Sequence, residues 1–294
     1  MAHPKKLQTN VPVKEAFRSM VKALTGIYPV REAGNMTTIL FEDVFPEIKL
    51  HQTEQLTEKQ QSKLLKIKER LLNHEPLQHV IGTTEFYGLR LKTDARALIP
   101  RPETEELVHL IIKDIRKKTH TGEGLSLLDI GTGTGCIPLT IKHHIQQLTV
   151  TGIDLSEKAL ALATENCDLL GLNAQFKVLD ILDSKQWQQL PEFDLIVSNP
   201  PYIPESERPL MAQNVLNFEP RMALFVDNAD PLLFYRVITE FALQKLKSGG
   251  ALYFEVNEFN GAQLLEWMRS KPFVSCEGLE DMQGKVRMIR AVLS

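Results

Sequence analysis

Apolar positions in the first 75 residues recur at helical spacing. Val13, Phe17, Met20, Val21 and Leu24 fall three or four residues apart and predict an amphipathic helix. Ile39 and Leu40 sit in a second candidate that ends near Pro46. A third starts at Thr57, which with Gln60 makes a capping-box pattern, and Leu64, Ile67 and Leu71 share one face of it. On the same helix Lys59, Lys63, Lys66 and Arg70 make a basic stripe, while Lys68 falls on the apolar side and has to snorkel. The stripe reads either as a solvated face or as a docking surface for an acidic partner. From Glu85 to Ile99 the pattern changes: Phe86, Leu89 and Leu91 around Gly88 predict a short hairpin or extended link. Beyond it, LSLLDI, LTVTGID, AQFKVLD, FDLIVSNPP and ALYFEV are strand candidates, and helices are predicted over 136–147, 157–171, 231–247 and 261–270. That alternation implies βαβ units and a mainly parallel sheet covered on both faces, with VRMIRAVL entering last as an antiparallel strand. The expected organisation is a helical domain over 1–84, a hairpin or linker over 85–99, and an α/β domain over 100–294.

Composition narrows the class. With 294 residues, 43% of them hydrophobic and 24% charged, the chain can bury a sizeable core, which excludes a mainly disordered, collagenous or small disulfide-stapled protein. Cys136, Cys167 and Cys276 form no CxxC pair and no metal-ligand spacing, so they are expected to be reduced. No apolar run approaches the roughly 18 residues that span a bilayer. MAHPKKLQTN leads into a charged amphipathic segment rather than a signal-peptide core. The expectation is a soluble, cytoplasmic monomer with no membrane partner. Charge is uneven: residues 1–74 hold 12 Lys and Arg against 8 Asp and Glu, net +4, and the rest holds 22 against 29, net -7. The two parts are therefore suited to different partners.

Candidate chemistry begins where Leu127-Leu128-Asp129-Ile130 runs into Gly131-Thr132-Gly133-Thr134-Gly135, with a helix predicted from about Cys136. Pro138 is compatible with that start, because the first helical turn has no use for its missing N–H. A strand, a glycine turn and a helix N-terminus let backbone N–H groups approach a cofactor closely. Asp154 ends the next strand, where an acidic side chain can accept hydrogen bonds from ribose hydroxyls. The spacing is GxGxG, with Cys136 where the dinucleotide fingerprint GxGxxG has its last glycine, and this disfavours a nicotinamide oxidoreductase. The turn resembles motif I of the class I S-adenosylmethionine-dependent methyltransferases. That resemblance implies a Rossmann-like fold with a seven-stranded, mainly parallel sheet, here preceded by a small all-α domain.

A second constellation, Asn199-Pro200-Pro201-Tyr202, follows the strand FDLIVS. Two prolines stop the ladder and stiffen the backbone at the carboxyl end of a strand, where ligands bind in open α/β sheets. Asn199 Oδ1 and the Pro200 carbonyl can accept the two N–H bonds of a planar NH2 group while Tyr202 packs on its flat face. An amide or exocyclic amine is a poor nucleophile because its lone pair is delocalised. Two acceptors aimed at its protons favour charge developing on nitrogen, and positioning against an electrophilic methyl removes up to about 7–11 kcal/mol of barrier. No separate strong base is required at once, since the proton can leave after transfer.

The order PLQHVIGTTEFYGLRL, LIPRPETEELV, LLDIGTGTG, VTGIDLS, FDLIVSNPPYIP and NFEPRMAL is similar to the bacterial release-factor glutamine methyltransferases, from about Glu75 onward. The resemblance implies methylation of the Gly-Gly-Gln glutamine of class 1 peptide chain release factors, with an N-terminal helical module that contacts that protein. Carried over by position, Asp129, Gly131, Thr132, Gly133, Thr134, Gly135, Asp154, Asp180, Ile181 and Asn199 are expected at S-adenosyl-L-methionine, with Ile181 covering an adenine face. Asn199, Pro200, Pro201 and Tyr202 are expected to hold the glutamine, with Asn199, Pro200 and Tyr202 catalytic. Arg101 and Glu103 fall near the cofactor cleft by resemblance; from the residues alone they equally make an ion pair that fixes the domain link. FEVNEFNG lacks the glycine expected after its acidic residue, which leaves Glu255 without an assigned role. His143-His144 is expected at a solvent-facing helix end with no metal, and Trp187 and Trp267 read as packing residues. Two other readings stay open: methylation of adenine N6 in nucleic acid, against which the -7 balance argues, and a non-catalytic module that binds the cofactor or the release factor.

Overall fold

The computed structural model describes residues 11–48, 55–119, 121–257, 259–281 and 284–294; MAHPKKLQTN and Glu258 of FEVNEFNG lie outside them. The chain forms two compact units, Met1–Gly82 with Ala212–Phe218, and Thr83–Met211 with Glu219–Ser294.

In the first unit a two-residue strand, β1 (Val11–Pro12), pairs antiparallel with β2 (Gln55–Leu56). Helices α1 (Val13–Leu24), α2 (Val30–Val44), α3 (Glu58–Leu72) and α4 (Leu77–Ile81) supply one core in which Val13, Met20, Leu24, Leu40, Phe41, Phe45 and Leu71 are buried. The capping box of α3 forms: Thr57 Oγ1 accepts from the Gln60 N–H at 3.3 Å, and the Thr57 N–H donates to Gln60 Oε1 at 2.8 Å. The basic stripe is not a uniform solvated face. Arg70 bonds both carboxylate oxygens of Glu75 and also donates to the His79 and Val80 carbonyls at 3.0 and 3.2 Å, which tethers α3 to α4. Lys63 reaches the Val44 carbonyl at 3.4 Å and lies 5.4 Å from the centre of the Phe45 ring.

The second unit opens with a hairpin, β3 (Thr83–Phe86) and β4 (Leu89–Lys92). Its turn residues Tyr87 and Gly88 have φ of 48° and 76°, the positive pair that a type I′ turn requires. Helix α5 (Pro102–Lys118) was not among the helices predicted from periodicity. Its signals are nevertheless local: Pro102 opens it, Glu103 and Glu105 lie in the first turn, and Arg116, Lys117 and Lys118 lie in the last, complementing the helix dipole. The chain then alternates: β5 (Ser126–Ile130), α6 (Cys136–His144), β6 (Thr149–Asp154), α7 (Glu157–Leu169), β7 (Gln175–Val178) and β8 (Phe193–Ser198). It continues through β9 (Ile203–Pro204), α8 (Gln213–Phe218, part of the first unit), β10 (Phe225–Val226), α9 (Leu233–Lys245), β11 (Leu246–Glu255), α10 (Gly261–Arg269), β12 (Phe273–Glu280) and β13 (Val286–Leu293).

The main sheet has seven strands in the order β12-β13-β11-β8-β5-β6-β7. Strands β11, β8, β5, β6 and β7 run parallel, and β13 is antiparallel to both β11 and β12, as the terminal VRMIRAVL pattern predicts. Side chains alternate between the faces. Leu127, Val150, Leu195, Val197, Ala251 and Tyr253 pack with Leu107, Val108 and Ile111 of α5 and Ile137 and Ile141 of α6. Leu128, Ile130, Ile153, Ile196, Leu252 and Phe254 pack with Tyr235, Ile238 and Phe241 of α9 and Leu264 and Met268 of α10. Burial on both faces is why these strands read as unbroken apolar runs. β12 escaped prediction because it is a half-exposed edge strand without a clean period of two.

Arg70→Ala is expected to lower the stability to urea by roughly 1–3 kcal/mol, because it leaves Glu75 and two backbone carbonyls without their donor. Lys66→Ala on the same helix is expected to stay within about 0.5 kcal/mol. Equal losses in the two variants would contradict the bracing role of Arg70.

Candidate active site

The glycine turn is built by backbone bonds that need unusual conformations. The N–H groups of Gly131 and Thr132 both donate to the Ile153 carbonyl, at 2.9 and 3.0 Å, and the Gly135 N–H donates to the Thr132 carbonyl at 2.8 Å. Gly131, Gly133 and Gly135 have φ of 75°, 55° and 77°, the left-handed region that costs a side chain steric energy. Gly135 also caps α6, and a Cβ there would lie 2.9 Å from Leu139 Cδ1 and 3.2 Å from Ala163 Cβ. At Gly131 a Cβ would meet nothing within 4 Å, because that side of the turn is open space.

That space is a cavity of about 340 Å³ within the second unit, a size that suits a small-molecule site. Its walls include Gly131, Thr132, Gly133 and Thr134 from the turn, Asp154 from the end of β6, Asp180 and Ile181 after β7, and Asn199, Pro200 and Pro201 after β8. Ile181 is held by Trp187, a buried packing residue whose indole N–H donates to the Ile181 carbonyl at 2.8 Å. Three of the residues read from the sequence do not line the cavity. Asp129 is buried below the turn, Gly135 caps the helix, and Tyr202 packs its ring against the α9 and α10 core.

Electrostatics concentrate on three carboxyls. Asp154 accepts from the Gly133 N–H at 3.0 Å and the Ser156 N–H at 2.9 Å; burial raises its pKa, and these hydrogen bonds oppose the rise. A carboxylate has about four acceptor positions, so two remain for a diol. Burial pushes Asp129 up to about 7; a hydrogen bond from the Thr132 hydroxyl opposes the rise and the charge of Asp154 adds to it. Asp129 is buried with the Thr132 hydroxyl facing it, and the Thr134 hydroxyl faces the Cys136 thiol. Burial likewise raises Glu255 to about 7.

Arg101 lines the cavity, but Glu103 is not its ion-pair partner. Arg101 bonds Glu219 at 2.5 Å, and the other oxygen of Glu219 accepts from the Ile99 N–H at 3.1 Å, so the nearly buried Glu219 secures the wall from Ile99 to Arg101. Among the described residues no group of three His, Cys, Asp or Glu side chains is placed to hold a metal ion. His144 is half-buried edge-on against Tyr87 at 5.2 Å rather than fully exposed, and only His143 faces solvent. The three cysteines are free thiols, and no described helix is long and apolar enough to cross a membrane.

Two family models match: "PrmC N-terminal domain" over residues 15–82 and "Methyltransferase small domain" over residues 108–221. The release factor glutamine methyltransferase of Flavobacterium psychrophilum is 38% identical to this chain, covering 95% of this chain and 98% of its own. The chain belongs to the release factor glutamine methyltransferase family. The enzyme of that name from Bacteroides thetaiotaomicron is 36% identical, covering 92% of this chain and 96% of its own. The human methyltransferase 10 domain-containing protein has the same fold, with a TM-score of 0.50 at 17% identity, over 71% of this chain and 90% of that one. The second unit is thus a class I methyltransferase fold.

Three polar residues at this family member's site escaped the sequence reading. Asn166 on α7 donates to the carbonyls of Thr134 and Lys92, at 3.0 and 3.1 Å, and accepts the Lys92 N–H at 2.7 Å, joining the glycine turn to the hairpin. Thr104 on α5 donates to Glu255 at 2.6 Å, and Glu219 holds Arg101. Thr104, inside LIPRPETEELV, and Glu219, inside NFEPRMAL, carried a sequence signal, and Asn166 carried none.

The raised Asp129 pKa has a definite sign in linkage. Between about 3.8 and about 7 the folded state keeps a proton that the unfolded chain has lost. The contribution is fully present below about 3.8 and disappears as pH rises through about 7. Asp129→Asn is therefore expected to become progressively more stable than the parent between about pH 4 and about pH 7 in urea unfolding, with no further gain above that. A stability difference that does not change with pH would show that Asp129 is not desolvated as described.

Proposed function

We propose that this protein transfers the methyl group of S-adenosyl-L-methionine to the side-chain N5 of the glutamine in the Gly-Gly-Gln motif of class 1 peptide chain release factors. One observation carries the assignment of roles: the glycine turn, Asp154 and the Asn199-Pro200-Pro201 segment, ends of three parallel strands, face the same cavity. Family membership supports the reaction and the release-factor substrate.

The cavity fits the cofactor in its donors and in its space. The open side of Gly131 accepts close approach of a bound group, the free acceptor positions of Asp154 suit ribose hydroxyls, and Ile181 offers an apolar face for adenine. The buried hydroxyls of Thr132 and Thr134 and the carboxyl of Asp129 supply polar groups around the turn. When bound, S-adenosyl-L-methionine supplies an electrophilic sulfonium methyl. Asn199 Nδ2 donates to Thr104 Oγ1 at 3.3 Å, so Oδ1 is the amide atom left to accept from substrate. With the Pro200 carbonyl it takes the two N–H bonds of the glutamine NH2, favouring positive charge on that nitrogen and holding it in one place. Proline has no N–H to compete at that edge. The proton leaves to water or to the Asn199 carbonyl oxygen.

Tyr202, packed against the core, acts from behind the tetrapeptide rather than as a wall of the cavity, and burial pushes its hydroxyl up to about 12, so it stays neutral. The helical unit, with net charge +4 over residues 1–74, is suited to recognising the folded release factor.

Purified protein and methyl-labelled S-adenosyl-L-methionine are expected to label a class 1 release factor, and a Gln→Ala change in its Gly-Gly-Gln motif is expected to abolish the label. Label appearing in DNA instead, or none anywhere, would overturn the proposal in favour of adenine methylation or a non-catalytic module. In the same assay Asn199→Ala is expected to lower kcat by about a hundredfold to a thousandfold, as the loss of a transition-state contact does. Asp154→Ala is expected mainly to weaken cofactor binding, by about tenfold to a hundredfold in Kd. Equal loss of cofactor binding in the two variants would contradict the division of roles.

A further inference from the structure

Glu255, to which neither the sequence motifs nor the proposed reaction gives a task, stands beside the residue on which the reaction depends. In the register of β8 and β11, Ser198 pairs with Phe254. One step further along both strands come Asn199 and Glu255, on the face covered by α5, whose first turn carries Thr104. The three side chains form a chain: Asn199 Nδ2 donates to Thr104 Oγ1 at 3.3 Å, and Thr104 Oγ1 donates to Glu255 Oε2 at 2.6 Å. Glu255 is 5% exposed and Thr104 is 3% exposed, so water does not compete for these bonds.

The direction of this chain is fixed at one end. An ionised carboxylate only accepts, so the single hydroxyl proton of Thr104 must point at Glu255. The hydroxyl oxygen then accepts, and only the NH2 end of the Asn199 amide can supply that bond. Building on the function proposed above, we propose that Glu255 and Thr104 are positioning residues that fix which end of the Asn199 amide faces the substrate. An amide turned the other way presents donors to the glutamine NH2, which has no free lone pair to receive them, and the acceptor needed for transfer is lost.

Protonation of Glu255 removes the constraint, because a carboxylic acid can donate to Thr104 Oγ1 and release the hydroxyl proton toward Asn199. Burial raises this carboxyl to about 7; the bond from Thr104 opposes the rise, the charge of Glu103 adds to it, and the charge of Arg287 and a direct hydrogen bond from the Asn199 amide, which calls for the same NH2 end, oppose it. Tyr202 and Cys136 also feel the Glu255 charge, and the Tyr235 hydroxyl bonds its backbone carbonyl at 3.1 Å. The ionised, direction-setting form therefore prevails on the alkaline side, and transfer is expected to fall as pH drops through about 7.

Thr104→Val, which keeps the shape and removes the hydroxyl, tests the chain in the full-length protein. We expect kcat for methyl transfer to the release factor to fall about tenfold to a hundredfold, the scale of a misplaced reacting group. KM for the release factor and Kd for S-adenosyl-L-homocysteine are expected to stay within about threefold, below the tenfold change that one lost interaction of 1.4 kcal/mol gives. Thr104→Ser is expected to restore kcat, and the acid-side fall of kcat is expected to disappear in Glu255→Gln. Unchanged kcat in Thr104→Val, or a loss that Thr104→Ser does not rescue, overturns the proposal. A second measurement needs no substrate: the side-chain amide NMR signals of Asn199 are expected to titrate near pH 7 in the parent and to stop titrating in Glu255→Gln. Signals indifferent to pH in the parent overturn the relay. A parent protein that titrates as expected yet leaves the release factor unmethylated refutes the proposed function and leaves the relay standing.

Discussion

Parallel pairing imposes one condition from which the rest of the second unit follows: strands that run the same way all end at the same edge. The last residues of β5, β6, β7, β8 and β11, or those just after them, therefore meet at one edge of the sheet, and the glycine turn, Asp154, Asp180-Ile181, Asn199 and Glu255 are those residues. The inner strands β5, β6, β8 and β11 are held by backbone bonds and by apolar layers on both faces, so the groups at their ends are positioned by the core. The crossover helices that parallel pairing requires also bring their N-termini to this edge. Gly135 at the start of α6 belongs there for that reason, whereas Thr104 reaches the edge from α5, which joins the β3–β4 hairpin to β5 and links no parallel pair.

The same geometry crowds carboxyls into a dry place. Asp129, Asp154 and Glu255 all have raised pKa values because burial penalises their charged forms. The three are handled differently. Asp154 receives two backbone N–H bonds and opens onto the cavity, Glu255 is bonded by a threonine hydroxyl, and Asp129 is faced by the Thr132 hydroxyl. An acidic group so deeply buried at the foot of a ligand turn is a local cost, tolerated because the surrounding strands over-determine its position.

Much of this was legible in the sequence, for physical reasons that differ by element. The inner strands announce themselves because double-faced burial demands unbroken apolar runs, and the glycine turn because its backbone visits a region closed to other residues. Asn-Pro-Pro-Tyr is visible because two prolines cannot belong to a ladder. What stayed hidden are bonds between distant parts of the chain. Thr104 meets Glu255 across 151 positions and Arg101 meets Glu219 across 118, and no local period encodes either pair. The inward packing of Tyr202 was also invisible, because the motif specifies an aromatic ring but not the face of the sheet it turns to. In the helical unit the stripe was read correctly as a spacing but not as chemistry. Arg70 is tied up by Glu75, which lies beyond the end of the helix and outside its period.

The first unit is not a bead threaded ahead of the second. The polypeptide leaves it at Gly82, re-enters it at Ala212 and leaves again at Phe218, and the first residue after that return is Glu219, the partner of Arg101 in the cavity wall. A single cut cannot therefore detach the helical module: removing everything before Thr83 strands Ala212–Phe218 without the residues it packs among. Exchange of the helical unit between relatives must graft two separate stretches of chain, the second beginning eight residues after the end of β9 and ending next to the Glu219 anchor.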